Sequence, residues 1–329
     1  MKRSVLLCRL VVAASFLFSG VALAQTTYHA FIWSASTGMQ DLGSLGGSSY
    51  AQAINSSGQV VGYYISLTSK LRPFLWTQSG GMQDLGTLGG SSGAALGIND
   101  FGHVVGWSTT AAGESHAFLW SASDGMRDLG TLGGNSSSAT GINKYGLVTG
   151  TSTKLGDHYN HAFLWSRKKG MIDLGALPGH NSYAFGINGL AAVVGESTLT
   201  SNLTPYHAFL RTRHAMIDLG TLFGVDNSIA VAINDSGSVV GNSDNLAFLW
   251  TRAGGMQGLG PLGTNFSNAD GINSLGVIVG SYETVSPTIH AVIWTAPNQI
   301  QDLGVLGGIY STATAINDSG QVVGYSTLQ

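Results

Sequence analysis

The sequence predicts an all-β chain folded as a seven-bladed β-propeller, and three observations carry that expectation. A unit of about 44 residues recurs, each unit divides into four strand-length apolar runs, and the chain begins and ends out of phase with the unit. An Ile-Asn dipeptide sets the phase. Its asparagines are Asn55, Asn99, Asn143, Asn188, Asn234, Asn273 and Asn317, spaced 44, 44, 45, 46, 39 and 44 residues apart. One such unit cannot bury its own apolar face, so the copies must pack on one another.

Residues 1–24 join Lys2 and Arg3 to an apolar stretch and end in Ala22-Leu23-Ala24. This predicts a signal peptide cleaved after Ala24 and an extracellular or periplasmic protein. Arg9 interrupts the apolar run and leaves about 15 residues, short of the roughly 20 a spanning helix needs, so no membrane span is expected in the mature chain. The only cysteine, Cys8, lies in this segment and lacks the small residues of a lipoprotein attachment site before it. Residues 25–329 are therefore expected to form a single domain without disulfides, large enough to bury a stable core.

After the leader come "HAFIW" (29–33) and "GMQDLG" (38–43), the second half of a unit. Each later unit supplies an Ile-Asn run (strand a), a "VVG" run (b), a "HAFLW" run (c) and a "DLG" run (d), bounded by Gly, Asn, Ser or Asp. A helical reading fails, because Gly and β-branched residues interrupt every window long enough for a 3.6-residue period. Four strands in about 44 residues is the size of one propeller blade. The chain closes with "TATAIN" and "GQVVGYS", strands a and b without c and d. An open solenoid would want polar caps at both ends, whereas in a ring the first two strands complete the last blade.

Charged residues make up only 9% of the chain. Without Lys2, Arg3 and Arg9 there are 11 basic against 17 acidic residues, a net charge of −6 with His neutral. That balance argues against nucleic acid or an anionic membrane as partner. A monomer is expected.

The strings "HAFLW", "DLGTLGG", "GIND" and "VVG", in fixed order over residues 29–326, resemble the bacterial HAF repeat, a predicted extracellular repeat family. The resemblance implies an exported repeat protein and transfers no catalytic residues. Copies five and six drift most: Arg211 stands in place of Trp, and "LAFLW" and "QGLG" replace "HAFLW" and "RDLG".

The recurring His and Asp invite a catalytic or metal reading, which the internal copies test. The first residue of strand c and the acid of strand d pair as His29 with Asp41, Arg72 with Asp84, His116 with Asp128, His161 with Asp173, His207 with Asp218, Leu246 with Gly258, and His290 with Asp302. Where the base is lost, the acid is lost too. The offset is 12 residues in six copies and 11 in one, and a c-d hairpin is expected to set the two positions across from each other. Pairs spread around a ring cannot converge on one substrate, and Arg72 is no metal ligand, so these are structural pairs and no metal or cofactor is expected. Phe31 and its copies, two residues before Trp33 and its copies, are expected to pack between neighbouring blades.

No "HExxH" is present, "DLGTLGG" lacks the Lys-Ser/Thr ending of a phosphate loop, and the calcium-loop pattern never occurs. The chain has three glutamates, Glu114, Glu196 and Glu283, and no catalytic residue is assigned. Variation concentrates between strands b and c, where the counts from the Gly of "VVG" to the start of strand c are 10, 10, 11, 12, 5 and 10. In a propeller these connections share one face with the d-a connections. The candidate binding rim is therefore Tyr63, Tyr64, Trp107, Glu114, His158, Tyr159, Glu196, Tyr206, Tyr282 and Glu283. The expected function is a binding or interaction module for an extracellular glycan or protein. The alternative is a hydrolase or lyase acting on an extracellular polymer at the channel mouth.

Overall fold

The computed structural model describes residues 26–156, 159–201, 204–224, 227–260, 266–284, 288–296 and 299–328. The expected signal peptide lies outside them. Among the described residues every regular element is a strand, and there are 28.

The chain starts with β1 (Tyr28–Ser34) and β2 (Gly38–Asp41). Then come β3 (Ser49–Ile54), β4 (Val60–Ile65), β5 (Leu71–Thr77) and β6 (Gly81–Asp84). The next repeat gives β7 (Gly89–Ile98), β8 (Val104–Thr110), β9 (Ser115–Ser121) and β10 (Gly125–Asp128). It is followed by β11 (Gly133–Ile142), β12 (Val148–Lys154), β13 (Asn160–Ser166) and β14 (Gly170–Asp173). The fourth gives β15 (Ser182–Ile187), β16 (Val193–Thr198), β17 (Tyr206–Arg211) and β18 (Met216–Asp218). The fifth gives β19 (Ser228–Ile233), β20 (Val239–Ser243), β21 (Leu246–Thr251) and β22 (Gly255–Gly258). The sixth gives β23 (Ser267–Ile272), β24 (Ile278–Glu283), β25 (Ile289–Ala296) and β26 (Gln299–Asp302), and β27 (Ser311–Ile316) and β28 (Val322–Thr327) end the chain.

These strands form six open sheets, five of four strands and one of eight. The eight-stranded sheet is two four-stranded groups joined at a single parallel pair, Ser115 with Ser136. Within each group the strands run antiparallel in chain order. The exception is the sheet β2-β1-β28-β27, where the first two strands of the chain pair with the last two.

One row of residues across each sheet explains the repeat. In the sheet of β3 to β6 the row is Ala51, Gly62, Phe74 and Asp84, each directly opposite the next. Phe74 is fully buried, as are Phe31, Phe118, Phe163, Phe209 and Phe248. Gly62 is required because a Cβ there would run into the Tyr50 carbonyl, and at Gly106 it would come within 2.9 Å of the Phe118 ring. The inner strand bulges just past this row, between Ala51 and Ala53, and the same irregularity recurs in every repeat. A bulge increases local twist and bends the strand.

Buried apolar residues gather in clusters that join adjacent repeats. Val61, Leu75 and Leu85 pack with Ala95, Val104 and Phe118 of the following repeat, as expected for Phe between sheets. The same arrangement joins the two ends of the chain, where Ala30, Ile32 and Val323 pack with Ala51, Val60 and Phe74.

The phasing asparagines, 3–6% exposed, occupy the turn after each inner strand. Asn143 Oδ1 accepts from the backbone N–H groups of Tyr145 and Leu147, both at 3.0 Å, holding its own turn. Its Nδ2 donates to the Asn188 carbonyl of the next repeat at 3.0 Å. The same donation runs from Asn55 to Asn99, Asn99 to Asn143, Asn188 to Asn234, Asn234 to Asn273 and Asn273 to Asn317. Asn317 then donates to the Asn55 carbonyl at 3.0 Å, which returns the chain of bonds to its start. A second stitch uses the serine opening the inner strand. Ser49 Oγ accepts from Ala30 N–H at 2.9 Å and donates to the Gly43 carbonyl at 2.6 Å. Ser137, Ser182, Ser228 and Ser311 repeat it.

Candidate functional site

The repeated His and Asp form surface corners. His Nδ1 lies 2.8 Å from the carboxylate in the His29-Asp41, His161-Asp173 and His290-Asp302 pairs. It lies 2.7 Å away in His116-Asp128 and 2.9 Å in His207-Asp218. Arg72 donates to Asp84 through Nε at 2.9 Å and a terminal nitrogen at 2.8 Å. The register differs from the expected direct opposition. Asp41 stands opposite Phe31, so His29, two residues along the same face, meets it diagonally. In the repeat with the 11-residue offset, Asp218 still opposes Phe209, because the turn closed by Thr212 N–H to the Ala215 carbonyl absorbs the missing residue. Each acid has a second task. Asp41, Asp84, Asp128, Asp173, Asp218 and Asp302 each accept from the backbone N–H of the glycine two residues on, at 2.6–2.8 Å. Burial works against ionisation of Asp173, and hydrogen bonds from Gly175, His161 and Lys154 overcome it, holding the carboxyl below its ordinary value. Among the described residues no three His, Cys, Asp or Glu side chains gather as a metal site. No described helix is long and apolar enough to cross a membrane.

The rim residues fall into three environments. Glu114 is exposed in the b-c connection, 3.6 Å from His116 Nε2, and His158 lies outside the described residues. Trp107 and Tyr64, expected on the rim, are instead buried within β8 and β4 at 8% and 7% exposure. The reason is that strand b runs on past "VVG", reaching Thr110 in β8 and Ile65 in β4, so much of the counted b-c segment is strand. Tyr64 donates its hydroxyl to Asp84 at 2.6 Å, and burial followed by that hydrogen bond pushes its pKa up to about 12. Glu196, Tyr206, Tyr282 and Glu283 are also strand residues, half-buried, while Tyr159 precedes β13 and stacks on His180 with ring centres 4.5 Å apart.

Two groups of side chains emerge at the end of the sheets where strands b and c connect. The first is a cluster of five tyrosines, of which only Tyr63 was expected at a site. Tyr50 stacks on Tyr63 at 5.0 Å and on Tyr28 at 5.7 Å, and meets Tyr325 edge-on at 5.0 Å. Tyr310 lies edge-on to Tyr28 at 5.9 Å and stacks on Tyr325 at 6.2 Å. These residues come from β1, β3, β4, β28 and the segment before β27, so the cluster spans both ends of the chain. Burial raises the pKa of Tyr50, Tyr310 and Tyr325, keeping the phenols neutral. Leu67 in the β4-β5 connection is 91% exposed, Ile309 next to Tyr310 71%, and Leu45 in the β2-β3 connection 44%. The available signal was that Tyr63 and Tyr325 both follow the Gly of "VVG".

The second group surrounds Glu196, which takes that same position in β16. It stands directly opposite Tyr183 and Ala208, and Tyr206, two residues before Ala208 and nearer the b-c connection, lies on the same face. Asn160 Nδ2 donates to the Tyr183 hydroxyl at 3.2 Å. Glu196 Oε2 is sealed from solvent with no hydrogen-bond partner, and burial pushes the carboxyl pKa up to about 7.

The chain has a propeller-like all-β fold. No protein-family model matches it, and no curated protein does. It is similar in structure to an acylaminoacyl peptidase from Pyrococcus horikoshii, with a TM-score of 0.52 and 9% identity over 82% of this chain and 48% of that one. It thus spans about half the length of that peptidase, and at this identity the likeness is one of fold alone. The β-propeller domain of the Trilobed protease from Pyrococcus furiosus overlaps at a TM-score of 0.41 with 9% identity, covering 78% of this chain and 95% of that one. A gluconolactonase from Xanthomonas campestris overlaps at 0.43 with 9% identity, covering 92% and 98%. Both scores are too low to carry an argument.

Proposed function

We propose that the chain is a closed seven-bladed propeller of the HAF-repeat kind, exported from the cytoplasm, that binds a glycan on the tyrosine cluster. Support for closure comes from the cyclic Asn donations, ending in Asn317 to Asn55, and from β1 and β2 completing the sheet of β27 and β28. One observation carries the binding role: five tyrosine rings gather toward one end of the sheets, Tyr325 buried and the other four half-buried, with exposed Ile309 next to Tyr310 in the chain. Tyrosine offers an apolar face to the C–H side of a sugar ring and a hydroxyl to its polar edge. Isolated exposed apolar side chains need no explanation, but one beside a shared aromatic surface marks a binding area.

The test is retention on an array of immobilised glycans and proteins, with released products measured in parallel. Glycan retention that falls at least tenfold in Tyr50→Ala/Tyr63→Ala, at an unchanged fold by circular dichroism, supports the reading. Retention of proteins alone, or turnover of the bound polymer, overturns it.

A further inference from the structure

Seven structurally equivalent positions follow the Gly of strand b: Tyr63, Trp107, Thr151, Glu196, Asn242, Ser281 and Tyr325. Only one is ionisable as a carboxylate. A buried polar atom without a partner is rare in folded proteins, and each calls for a physical reason. Among the described residues four side-chain atoms are in that state, Ser115 Oγ, Ser138 Oγ, Arg211 Nε and Glu196 Oε2. Glu196 is the single acid among them. No Lys or Arg forms an ion pair with it among the described residues, and Arg211 instead donates a terminal nitrogen to the Thr212 carbonyl.

We infer that Glu196, with Tyr183 and Tyr206 on the same face of the sheet, forms a binding site for a primary alkylammonium group, independently of the glycan reading. Three features specify that chemistry. Once ionised, the orphan Oε2 is an acceptor only, so its partner must bring an N–H or O–H, which a quaternary ammonium lacks. The acceptor belongs to a carboxyl group, so a cationic donor gains a charge-assisted bond, roughly twice as strong as a neutral one. Tyrosine rings attract a cation to their faces, and the two tyrosines are the direct and the diagonal neighbours of Glu196. Other groups facing the site agree. Asn160 already spends its Nδ2 on the Tyr183 hydroxyl, and Asp244, whose charge acts on Tyr206, is negative.

Burial keeps the Glu196 carboxyl protonated up to about pH 7. An amine of the lysine type stays charged to about pH 10. Binding therefore releases the Glu196 proton to solvent and leaves carboxylate and ammonium paired, with charge conserved.

The test follows backbone amide shifts of residues 183, 196 and 206 by NMR while methylammonium is titrated into the full chain. Apparent affinity should rise about tenfold per pH unit from pH 5 to 7 and level off above, as linkage to one carboxyl requires. Glu196→Gln should bind at least tenfold more weakly at pH 7.5 and lose the pH dependence while keeping the fold. Tetramethylammonium and N-acetylglucosamine should leave the three amides unmoved. Glucosamine and an α-acetylated lysine amide, as the two sources of the group, then separate an amino sugar from a protein side chain. Absence of methylammonium shifts at these amides, equal binding by Glu196→Gln, or equal binding of tetramethylammonium overturns the inference, whatever the outcome on the glycan array.

Discussion

Leu246 and Gly258 stand where five repeats carry His and Asp and one carries Arg and Asp, so one protein contains its own double substitution. The geometry explains why both changed together: each member of the corner is the other's hydrogen-bond partner, so the acid without its base is left to water. His116→Leu should cost about 1 kcal/mol in urea unfolding. Adding Asp128→Gly should bring a loss smaller than the sum of the two single losses, since the acid no longer waits for a partner. Recovery stays incomplete because Asp128 also holds Gly130 N–H at 2.7 Å. Additive losses would refute the coupling. Glu196 makes the opposite kind of residue. Its folded pKa, about 7, lies above the ordinary 4.5, so its contribution is intact below pH 4.5 and is lost as pH rises to about 7. The loss is on the order of 3 kcal/mol. Melting temperature should fall between pH 5 and 7.5 in the wild type and much less in Glu196→Gln; parallel curves would place the carboxyl in water.

At the scale of the element, the turn after the inner strand is the joint that organises each repeat. Asn143 satisfies two N–H groups of its own turn in part-buried bonds and one carbonyl of the next in a buried one. Asn143→Ala leaves those backbone groups unpaired and should cost about 3 kcal/mol or more. Asn143→Asp keeps the acceptor, and where its carboxyl is protonated the O–H can replace the donor to the Asn188 carbonyl, so at pH 4 it should cost less than alanine, and more at pH 7 than at pH 4. Denaturant midpoints of the two variants at pH 4 and 7 check this order. The asparagine was legible in the sequence as a turn residue before glycine, but not its reach into the next repeat, because spacing along the chain says nothing about which carbonyl lies beside an amide. Strand b was misjudged for a related reason. "VVG" marks where it starts, whereas its end is set by pairing with strands a and c, which carries Trp107 and Tyr64 into the interior.

For the whole molecule the decisive contact is between its two ends. β1 pairs with β28 from Tyr28 opposite Thr327 to Trp33 opposite Val322, and Ile32 packs with Val323, Ala51 and Phe74. Deleting residues 26–43 removes β1 and β2 and exposes the length of β28 as an unpaired edge, a route to aggregation. Hydrogen exchange should show loss of protection at residues 311–327, far away in sequence. Protection unchanged there, with loosening only near residues 49–65, would mean the ends are independent, as in an open solenoid.

The repeat period, the four strands of each unit and the His-Asp pairing were readable from the chain, because seven internal copies separate what the unit needs from what one copy happens to have; that the glycine of strand b lies under the Phe of strand c came from the structure. Tertiary structure alone decided which side chains meet across repeats. Tyr28 and Tyr310 lie 282 residues apart and come into edge-on contact only because the last sheet is built from both ends. Likewise nothing in "VVGEST" distinguishes a glutamate in water from one sealed in the sheet. The burial that leaves Glu196 Oε2 without a partner is set by the packing of neighbouring strands around it, a quantity the order of residues does not contain.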